Sequence, residues 1–168
     1  MKKQGLDPTD VRILSAVQAH GRLSKTKLAE LVNLSPTPCW ARLERLRTLG
    51  YIKGYHAQLE FDKICDISQV YVTVSLTHHR KSDFERFEKF VMACAEITDC
   101  VTTGGGMDYV LKVVTPSLAA FQQVMDDMLA ADIGVDRYIT HIVTRQVKSS
   151  QPDVMRLALG QGGPMRRP

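Results

Sequence analysis

Apolar residues near the start of the chain recur at the spacing of an amphipathic helix. Val11, Leu14 and Val17 form one apolar stripe. Asp7 stands just before this stretch and is a favourable N-cap residue. The pattern therefore predicts a first helix over residues 8–19.

A tight turn joins the second and third predicted helices. Ser24 is the predicted N-cap of the second helix, which ends at Asn33, a residue that tolerates the left-handed backbone conformation of such a turn. Ser35 is the predicted cap of the third helix, and Pro36 occupies its first turn, where a missing N–H costs nothing. We predict that this helix continues to about residue 49, with a buried stripe of Cys39, Leu43, Leu46 and Leu49.

The periodicity changes in the second half of the chain, where strands alternate with helices. Residues 69–77 alternate apolar and polar positions, which is typical of a strand buried on one face. The predicted order is strand 69–77, helix 83–95 capped by Ser82 or Asp83, strands 97–103 and 108–114, a helix after Ser117, and strand 134–148. The inward positions are Val70, Val72, Val74 and Leu76 in the first strand, Phe84, Phe87 and Val91 in the first helix, and Leu118, Phe121, Val124, Met125 and Met128 in the second.

These elements predict an α+β protein with two domains. A three-helix, winged helix-turn-helix domain is followed by a ferredoxin-like βαββαβ domain, in which two helices cover one face of an antiparallel sheet. The predicted bounds are 1–50 for the helix-turn-helix domain, 51–67 for an extended strand or linker, 68–148 for the ferredoxin-like domain and 149–168 for a C-terminal tail with mobile last residues.

The net charge also differs between the two predicted domains. The 168-residue chain has a net charge of +4, which is distributed as +5 over residues 1–60, −3 over residues 61–148 and +2 over the tail. A basic front half on an acidic back half favours a polyanionic partner for the front half alone. We expect a cytoplasmic protein that does not enter the membrane, because no signal sequence is visible and no apolar run approaches the roughly 20 residues of a membrane span.

The three predicted helices match the helix-turn-helix plan for binding double-stranded DNA. Short polar side chains near the start of the third helix would read base edges, and cations would hold the phosphates. The predicted DNA-binding residues are Arg22, Lys25, Ser35, Thr37, Pro38, Trp40, Arg42, Arg45 and Arg47. Two alternatives remain open: the charges only solvate a three-helix interaction module, and Trp40 covers the edge of the domain instead of contacting DNA.

Ordered motifs along nearly the whole chain resemble the Lrp/AsnC family of transcriptional regulators. They are Leu6-Asp7, Asp10, Ile13-Leu14, Gly21-Arg22-Leu23-Ser24, Leu28-Ala29, Leu34-Ser35-Pro36, Arg42-Leu43, Leu46, Gly50-Tyr51-Ile52-Lys53-Gly54-Tyr55, Gly105-Gly106-Met107-Asp108-Tyr109-Val110-Leu111, Thr140 and Val143. The resemblance implies a homodimer, often a tetramer of dimers, assembled through the C-terminal sheet. It also implies a small-molecule effector, usually an amino acid, that binds where dimers meet.

A glycine-rich turn is the predicted effector site. Three successive glycines allow a ligand to approach the backbone, so that exposed N–H groups receive a carboxylate while Asp108 takes the α-ammonium. Two side chains on one face of the last strand complete the predicted site, which consists of Gly104, Gly105, Gly106, Met107, Asp108, Tyr138 and Thr140. The alternative is a plain hairpin turn with Asp108 as its polar flank.

The predicted function is transcription regulation in which a small effector changes assembly and DNA affinity. An architectural DNA-binding protein without effector sensing is the main alternative. An enzyme is not expected, since the sequence has no nucleophile elbow, P-loop or H-E-x-x-H motif. No cofactor or metal is predicted, because the four cysteines lack zinc spacing and the adjacent His78 and His79 would point to opposite faces of a strand.

Overall fold

A computed structural model describes residues 5–160, which form two compact units. The helical unit combines residues up to Gln58 with those from Ser149 onward, and the sheet unit spans Leu59–Lys148. In chain order the elements are α1 (Pro8–His20), α2 (Lys25–Val32), α3 (Pro36–Thr48), a 3-10 turn (Phe61–Lys63), β1 (Ser68–Leu76), α4 (Lys81–Ala93), β2 (Ile97–Thr102), β3 (Tyr109–Thr115), α5 (Leu118–Ala130), β4 (Val135–Ile142) and α6 (Val154–Leu159).

Local capping explains where α1 and α2 begin and where α2 ends. Asp7 Oδ1 accepts a hydrogen bond from the Asp10 N–H at 2.8 Å, and Ser24 Oγ accepts one from the Lys27 N–H at 3.2 Å. Asn33 ends α2 with φ 55°, the left-handed conformation that the sequence predicts. Ser35 takes the N-cap position of α3, but its side chain makes no capping hydrogen bond.

One apolar cluster holds α1, α2 and α3 together. Its fully buried members are Ile13, Val17, Leu28, Ala29, Val32, Cys39, Leu43 and Leu46. The prediction for Leu49 is wrong, since this residue is 43% exposed. The helix ends at Thr48, so Leu49 lies beyond the last turn that the neighbouring helices cover.

Two segments of the helical unit differ from the sequence-based expectation. Residues 51–60 contain no strand, and an extended segment without a partner strand has no ladder of hydrogen bonds to join. Within the predicted tail, Asp153 caps α6 by accepting from the Met155 N–H at 2.9 Å. This helix packs against α1, and Gln18 Nε2 donates to the Pro152 carbonyl at 2.9 Å. The expectation of mobility for the last tail residues lies outside the described residues.

The sheet unit has the predicted ferredoxin-like order β1-α4-β2-β3-α5-β4. Its four strands are antiparallel in the order β2-β3-β1-β4. The inward residues of β1 face α4 and α5, as the alternating pattern predicts. The buried core consists of Val70, Val72, Val74, Leu76, Phe87, Val91, Tyr109, Leu111, Val113, Phe121, Val124, Met125, Met128 and Ile133.

Three details of this unit correct the sequence-based prediction. The last strand ends at Ile142, not at residue 148, because Ile142 pairs with Val70 and β1 extends only two residues further. Helix α4 is capped at Arg80, whose N–H donates to Asp83 Oδ2 at 3.1 Å. Leu118 is 48% exposed instead of buried, since it stands in the first turn of α5 before the helix reaches the sheet.

Among the described residues of the sheet unit, no helix packs on the second face of the sheet. Tyr71, Val101 and Ile139 lie on this open face and are 40%, 49% and 46% exposed. In the described part of the chain, no helix has the length and apolar character needed to cross a bilayer.

Candidate functional site

Helix α3 separates its residues into a buried side and a free side. Cys39, Leu43 and Leu46 are at most 4% exposed and hold the helix in the core of the helical unit. Thr37 and Ala41 are exposed and one helical turn apart, roughly opposite the buried stripe. The N-terminal end of α3 therefore presents small side chains to solvent, which is what insertion into a DNA groove requires.

Trp40 lies at the edge of this free side. Its ring is partly buried and packs against the helical core, while the Nζ of Lys25 lies 4.7 Å from the ring centroid. This cation–π contact joins α2 to α3 across the turn. Trp40 therefore does cover the edge of the unit, and its contact with DNA stays a prediction.

Two of the predicted phosphate-binding arginines are paired within the chain. Arg42 Nη1 donates to Asp10 Oδ1 at 2.9 Å and to Asp7 Oδ2 at 2.5 Å. Arg45 Nη2 donates to Asp10 Oδ2 at 2.5 Å. Asp10 is 1% exposed, so the buried carboxylate of α1 is compensated by two guanidinium groups from α3.

The same network shifts the titration of its exposed members. The Asp10 backbone N–H and, second, the Arg42 guanidinium hold the pKa of Asp7 below its ordinary value. The carboxylates of Asp7 and Asp10 in turn raise the pKa of Arg42. The ion pair of Asp7 with Arg42 therefore persists across the physiological pH range.

The remaining cations of the predicted set lie at the surface. Arg47 Nη1 donates to Glu44 Oε1 at 3.0 Å, one turn away on α3. Arg22 is exposed in the connection between α1 and α2. The sequence-based prediction did not include Ala41 or Glu44 among the site residues. Their helical spacing from Thr37 and Arg47 could have placed them on the same side of α3.

In the sheet unit, Asp108 is held at the start of β3. Its Oδ2 accepts from the Leu76 N–H at 2.7 Å, and His79 Nε2 lies 3.0 Å from its Oδ1. The Asp108 N–H donates to the Val74 carbonyl at 2.8 Å. The carboxylate is thus fixed at the edge where β1 ends, and its side chain is 20% exposed.

The glycine turn preceding Asp108 is exposed and held by side-chain and backbone hydrogen bonds. Gly105 has φ 129°, a conformation that favours glycine. Thr103 Oγ1 donates to the Met107 carbonyl at 2.6 Å, and the Thr103 N–H donates to the Asp108 carbonyl at 2.8 Å. The N–H groups of the turn are therefore exposed to a ligand, and the hydrogen bonds of Thr103 hold the turn in one conformation.

A cleft of about 470 Å³, here called the Asp108 cleft, opens beside this carboxylate. Its lining consists of Lys81, Phe84, Glu85, Glu88, Thr102, Thr103, Asp108 and Tyr109. The lining does not include the three glycines, Met107, Tyr138 or Thr140. On β4, Tyr138 pairs with Val74 and Thr140 with Val72, so both project to the helix-covered face.

Charges of both signs meet in the Asp108 cleft. Lys81 Nζ lies 3.5 Å from Glu85 Oε1, and the Tyr109 hydroxyl donates to Glu88 Oε1 at 3.0 Å. Burial, followed by the neighbouring Glu88, raises the pKa of Tyr109, which keeps this hydroxyl protonated. Sequence reasoning missed Lys81 and Thr102, because the contact of α4 with the end of β2 is not a local feature of the sequence.

The cysteines and carboxylates do not form a metal centre within residues 5–160. Cys39 is buried, Cys94 and Cys100 are half-buried, and Cys65 is exposed, all as free thiols. Burial raises the pKa of the Cys39 thiol, which disfavours the reactive thiolate.

Two known protein families match the chain over these same segments. The winged helix-turn-helix DNA-binding family matches residues 6–53, and the Lrp/AsnC ligand binding domain matches residues 69–153. The chain belongs to the Lrp/AsnC family. This Lrp/AsnC protein is therefore a DNA-binding transcriptional regulator with a ligand-binding domain, as the sequence predicts, and its family is one of regulators, not enzymes.

Named relatives agree with this assignment. The transcriptional regulatory protein DoeX of Halomonas elongata is 42% identical over 143 residues, which cover 85% of this chain and 90% of DoeX. The leucine-responsive regulatory protein of Escherichia coli strain K12 is 34% identical over 151 residues, 90% of this chain and 92% of that protein. A solved complex of a Neisseria meningitidis transcriptional regulator with L-Met superposes with a TM-score of 0.79 at 32% identity, covering 86% of this chain and 94% of that one. The predicted fold class, with its winged helix-turn-helix and ferredoxin-like domains, is confirmed.

Proposed function

We propose that this regulator responds to an amino acid or a closely related metabolite bound at the Asp108 cleft. The observation that carries the proposal is the fixed Asp108 carboxylate in a cleft that also holds Lys81. A zwitterion would place its ammonium on Asp108 and its carboxylate on Lys81 or on the N–H groups of the glycine turn. The L-Met complex of the Neisseria regulator supports this class of ligand.

Assembly of several copies would bring Tyr138, Thr140 and Met107 to the ligand. In the family that the sequence resembles, effectors bind where dimers meet, so residues outside the cleft of one copy would approach the ligand of another. We propose that the glycine turn, Met107, Tyr138 and Thr140 contribute in this way. Two copies would then complete a site that one chain forms in part.

The experiment is calorimetric titration of the full-length protein with a panel of amino acids that includes L-leucine and L-methionine. We expect at least one to bind and Asp108→Asn to weaken it about tenfold or more, as for a lost charge-assisted hydrogen bond. Asp99→Asn is the matched control, because Asp99 is exposed on β2 outside the cleft. Binding that Asp108→Asn leaves unchanged would contradict the proposed site.

For DNA, we propose that the free side of α3 enters the major groove of a promoter duplex. Ser35, Thr37, Pro38 and Trp40 would face base edges and sugars, with Ala41 added as a small contact for a thymine methyl group. Arg22, Lys25 and Arg47 would contact phosphates. Arg42 and Arg45 would contribute weaker phosphate contacts, because each is already paired with a carboxylate of the chain. Footprinting on random and selected duplexes tests this: strong sequence preference supports a regulator, and its absence would favour an architectural DNA-binding protein.

We further propose that two copies pair through the open face of the sheet and that four such dimers assemble. The exposed apolar side chains on that face would be covered by the second copy. Ile139→Asp should dissociate the dimer in sedimentation experiments. Ile142→Asp, on the same strand but the other face, is the control and should leave the dimer intact.

An effector regulates DNA binding only if it favours one assembly state over another. We propose that ligand binding changes the assembly and therefore the distance between paired α3 helices. Two such helices read DNA half-sites that lie about 34–36 Å apart, which is one turn of the duplex. Sedimentation and DNA titrations with and without the bound amino acid test this link. Since promoter DNA is the partner, we propose the cytoplasm as the place of action.

A further inference from the structure

The buried carboxylate of Asp10 faces the DNA-reading helix with both of its oxygens. One oxygen accepts from Arg42 at 2.9 Å and the other from Arg45 at 2.5 Å. The two arginine side chains are 37% and 49% exposed, whereas Asp10 is 1% exposed. The acid is therefore inaccessible, while its partners reach the surface from which α3 meets DNA.

This arrangement reduces the positive charge that α3 offers to a duplex. The helix contains three arginines, and the third, Arg47, is paired with Glu44 at 3.0 Å. Cations bind phosphates regardless of sequence, and each phosphate neutralised makes the affinity more salt-dependent. An arginine already held by a carboxylate contributes less to this sequence-independent attraction.

We propose that Asp10 is a specificity-determining residue, which holds Arg42 and Arg45 in internal ion pairs and so limits sequence-independent binding to the DNA backbone. The affinity for a cognate site then depends more on the small side chains at the start of α3. This inference rests on the DNA-binding function of the family and is independent of the Asp108 cleft. It also revises the sequence-based role of Arg45, whose loss should change the salt dependence by clearly less than one phosphate contact.

A purely structural role for Asp10 is the competing explanation, and it makes the opposite prediction. If the network only joins α1 to α3, its loss would disorder α3 and weaken binding to every duplex in parallel. If the network restrains charge, its loss would strengthen binding to unrelated DNA. The two roles therefore differ in the sign of one measurement.

The test uses three full-length variants that each raise the net charge by one. Asp10→Asn keeps the side-chain volume but removes the charge that pairs with Arg45 and one of the two carboxylates that pair with Arg42. Asp7→Asn removes one of the two carboxylates that hold Arg42, leaves Arg45 paired, and preserves the helix cap, because asparagine is as good an N-cap as aspartate. Asp99→Asn is the charge-matched control, since Asp99 is exposed on β2 of the sheet unit and makes no ion pair with another described residue.

Fluorescence anisotropy would measure binding to the tightest duplex selected from a random pool and to a scrambled duplex of equal length, at several salt concentrations. We expect Asp10→Asn to tighten binding to the scrambled duplex threefold or more and to lower the ratio of selected to scrambled affinity. The slope of log affinity against log salt should steepen by about 0.9 for each released arginine. Asp7→Asn should shift both quantities in the same direction by a smaller amount, and Asp99→Asn should leave the ratio unchanged.

A parallel loss of affinity for both duplexes, without a steeper slope, would overturn the proposal. Trp40 is the single tryptophan of the chain, so its fluorescence reports whether α3 is still folded in each variant. If Asp10→Asn does not fold, Asp7→Asn decides the question, because the Asp7 side chain is 45% exposed and its replacement leaves the buried carboxylate in place. An unchanged affinity ratio in a folded Asp7→Asn variant would then count against the proposal.

Discussion

The two units of this regulator place their charged groups differently. In the helical unit a buried carboxylate on α1 is paired with two arginines of α3. In the sheet unit the buried core is apolar apart from Thr115, and the hydrogen-bonded side chains of His79 and Asp108 lie at the rim of the sheet. The two cores are therefore built differently: the helical core includes one buried, ion-paired carboxylate, whereas a continuous apolar layer supports the sheet.

The largest expected effect comes from removing a core side chain of the sheet unit. Phe87 is fully buried, and its ring centroid lies 4.5 Å from that of Tyr109. Phe87→Ala should lower the free energy of unfolding by about 3–5 kcal/mol, because it leaves a cavity under the sheet. Urea unfolding combined with amide hydrogen exchange of β1 and β3 would measure it.

Met92→Ala is the control on the same helix, since Met92 is 86% exposed and its loss should change stability by less than about 0.5 kcal/mol. Equal effects of the two substitutions would contradict the conclusion that α4 packs against the sheet through the face that carries Phe87.

A comparable core substitution in the helical unit should cost slightly less. Leu46 is fully buried on α3, and Leu46→Ala should destabilise this unit by about 2–5 kcal/mol. Trp40 fluorescence during unfolding would follow this unit, as no other tryptophan is present. Leu49→Ala at the exposed end of the stripe is the control, and a loss as large as that of Leu46→Ala would show that α3 packs further than described.

At alkaline pH the sheet unit should lose stability. Burial raises the pKa of Tyr109 and also of the Cys94 and Cys100 thiols, so the unfolded chain loses these protons before the folded one does. Stability is therefore fully present below the ordinary thiol and phenol values of about 8.5 and 10 and declines as the pH rises through them. Hydrogen exchange of β3 between pH 8 and 11 would detect the decline.

Tyr109→Phe removes the hydroxyl and keeps the ring, so it should flatten this alkaline decline. A profile identical to that of the parent protein would show that other groups cause the loss.

The smallest effect is expected in acid, in the helical unit. The pKa of Asp7 is lowered by the Asp10 N–H and by Arg42, so the charged form contributes stability above the ordinary carboxyl value of about 3.9. That contribution disappears as the pH falls below 3.9 through the lowered pKa. Trp40 fluorescence between pH 5 and 2 would measure it, with Asp7→Asn expected to show a shallower acid transition.

Local patterns were sufficient to predict most of the fold. The capping residue Asp7, the left-handed Asn33 and the alternation of Val70, Val72 and Val74 each depend on neighbours within a few positions, and the structure agrees with all three. An apolar stripe on a helix predicts burial only as far as a neighbouring element covers that helix. Leu49 and Leu118 were predicted wrongly because they stand at helix ends beyond this cover.

The candidate sites were less predictable, because they depend on contacts between distant residues. The pairs of Asp10 with Arg42 and Arg45 join positions 32 and 35 residues apart, and their geometry follows from the packing of α1 on α3. The sequence suggested these arginines as free cations because composition alone does not identify a partner. Helix α6 did have a local signal, since Asp153 precedes it and Gly160 ends it in the left-handed conformation.

Helix α6 has a practical consequence for anyone who shortens this protein. The backbone leaves the helical unit at Gln58 and comes back to it at Ser149, so the ligand-binding portion is an insertion rather than a C-terminal appendage. A version cut after Lys148 would retain every strand of the sheet but lose the turn of chain that rests on α1 and bonds to Gln18. Trimming at that point removes part of the DNA-binding half, and a ligand-binding fragment is better isolated by excising residues 59–148 from the middle.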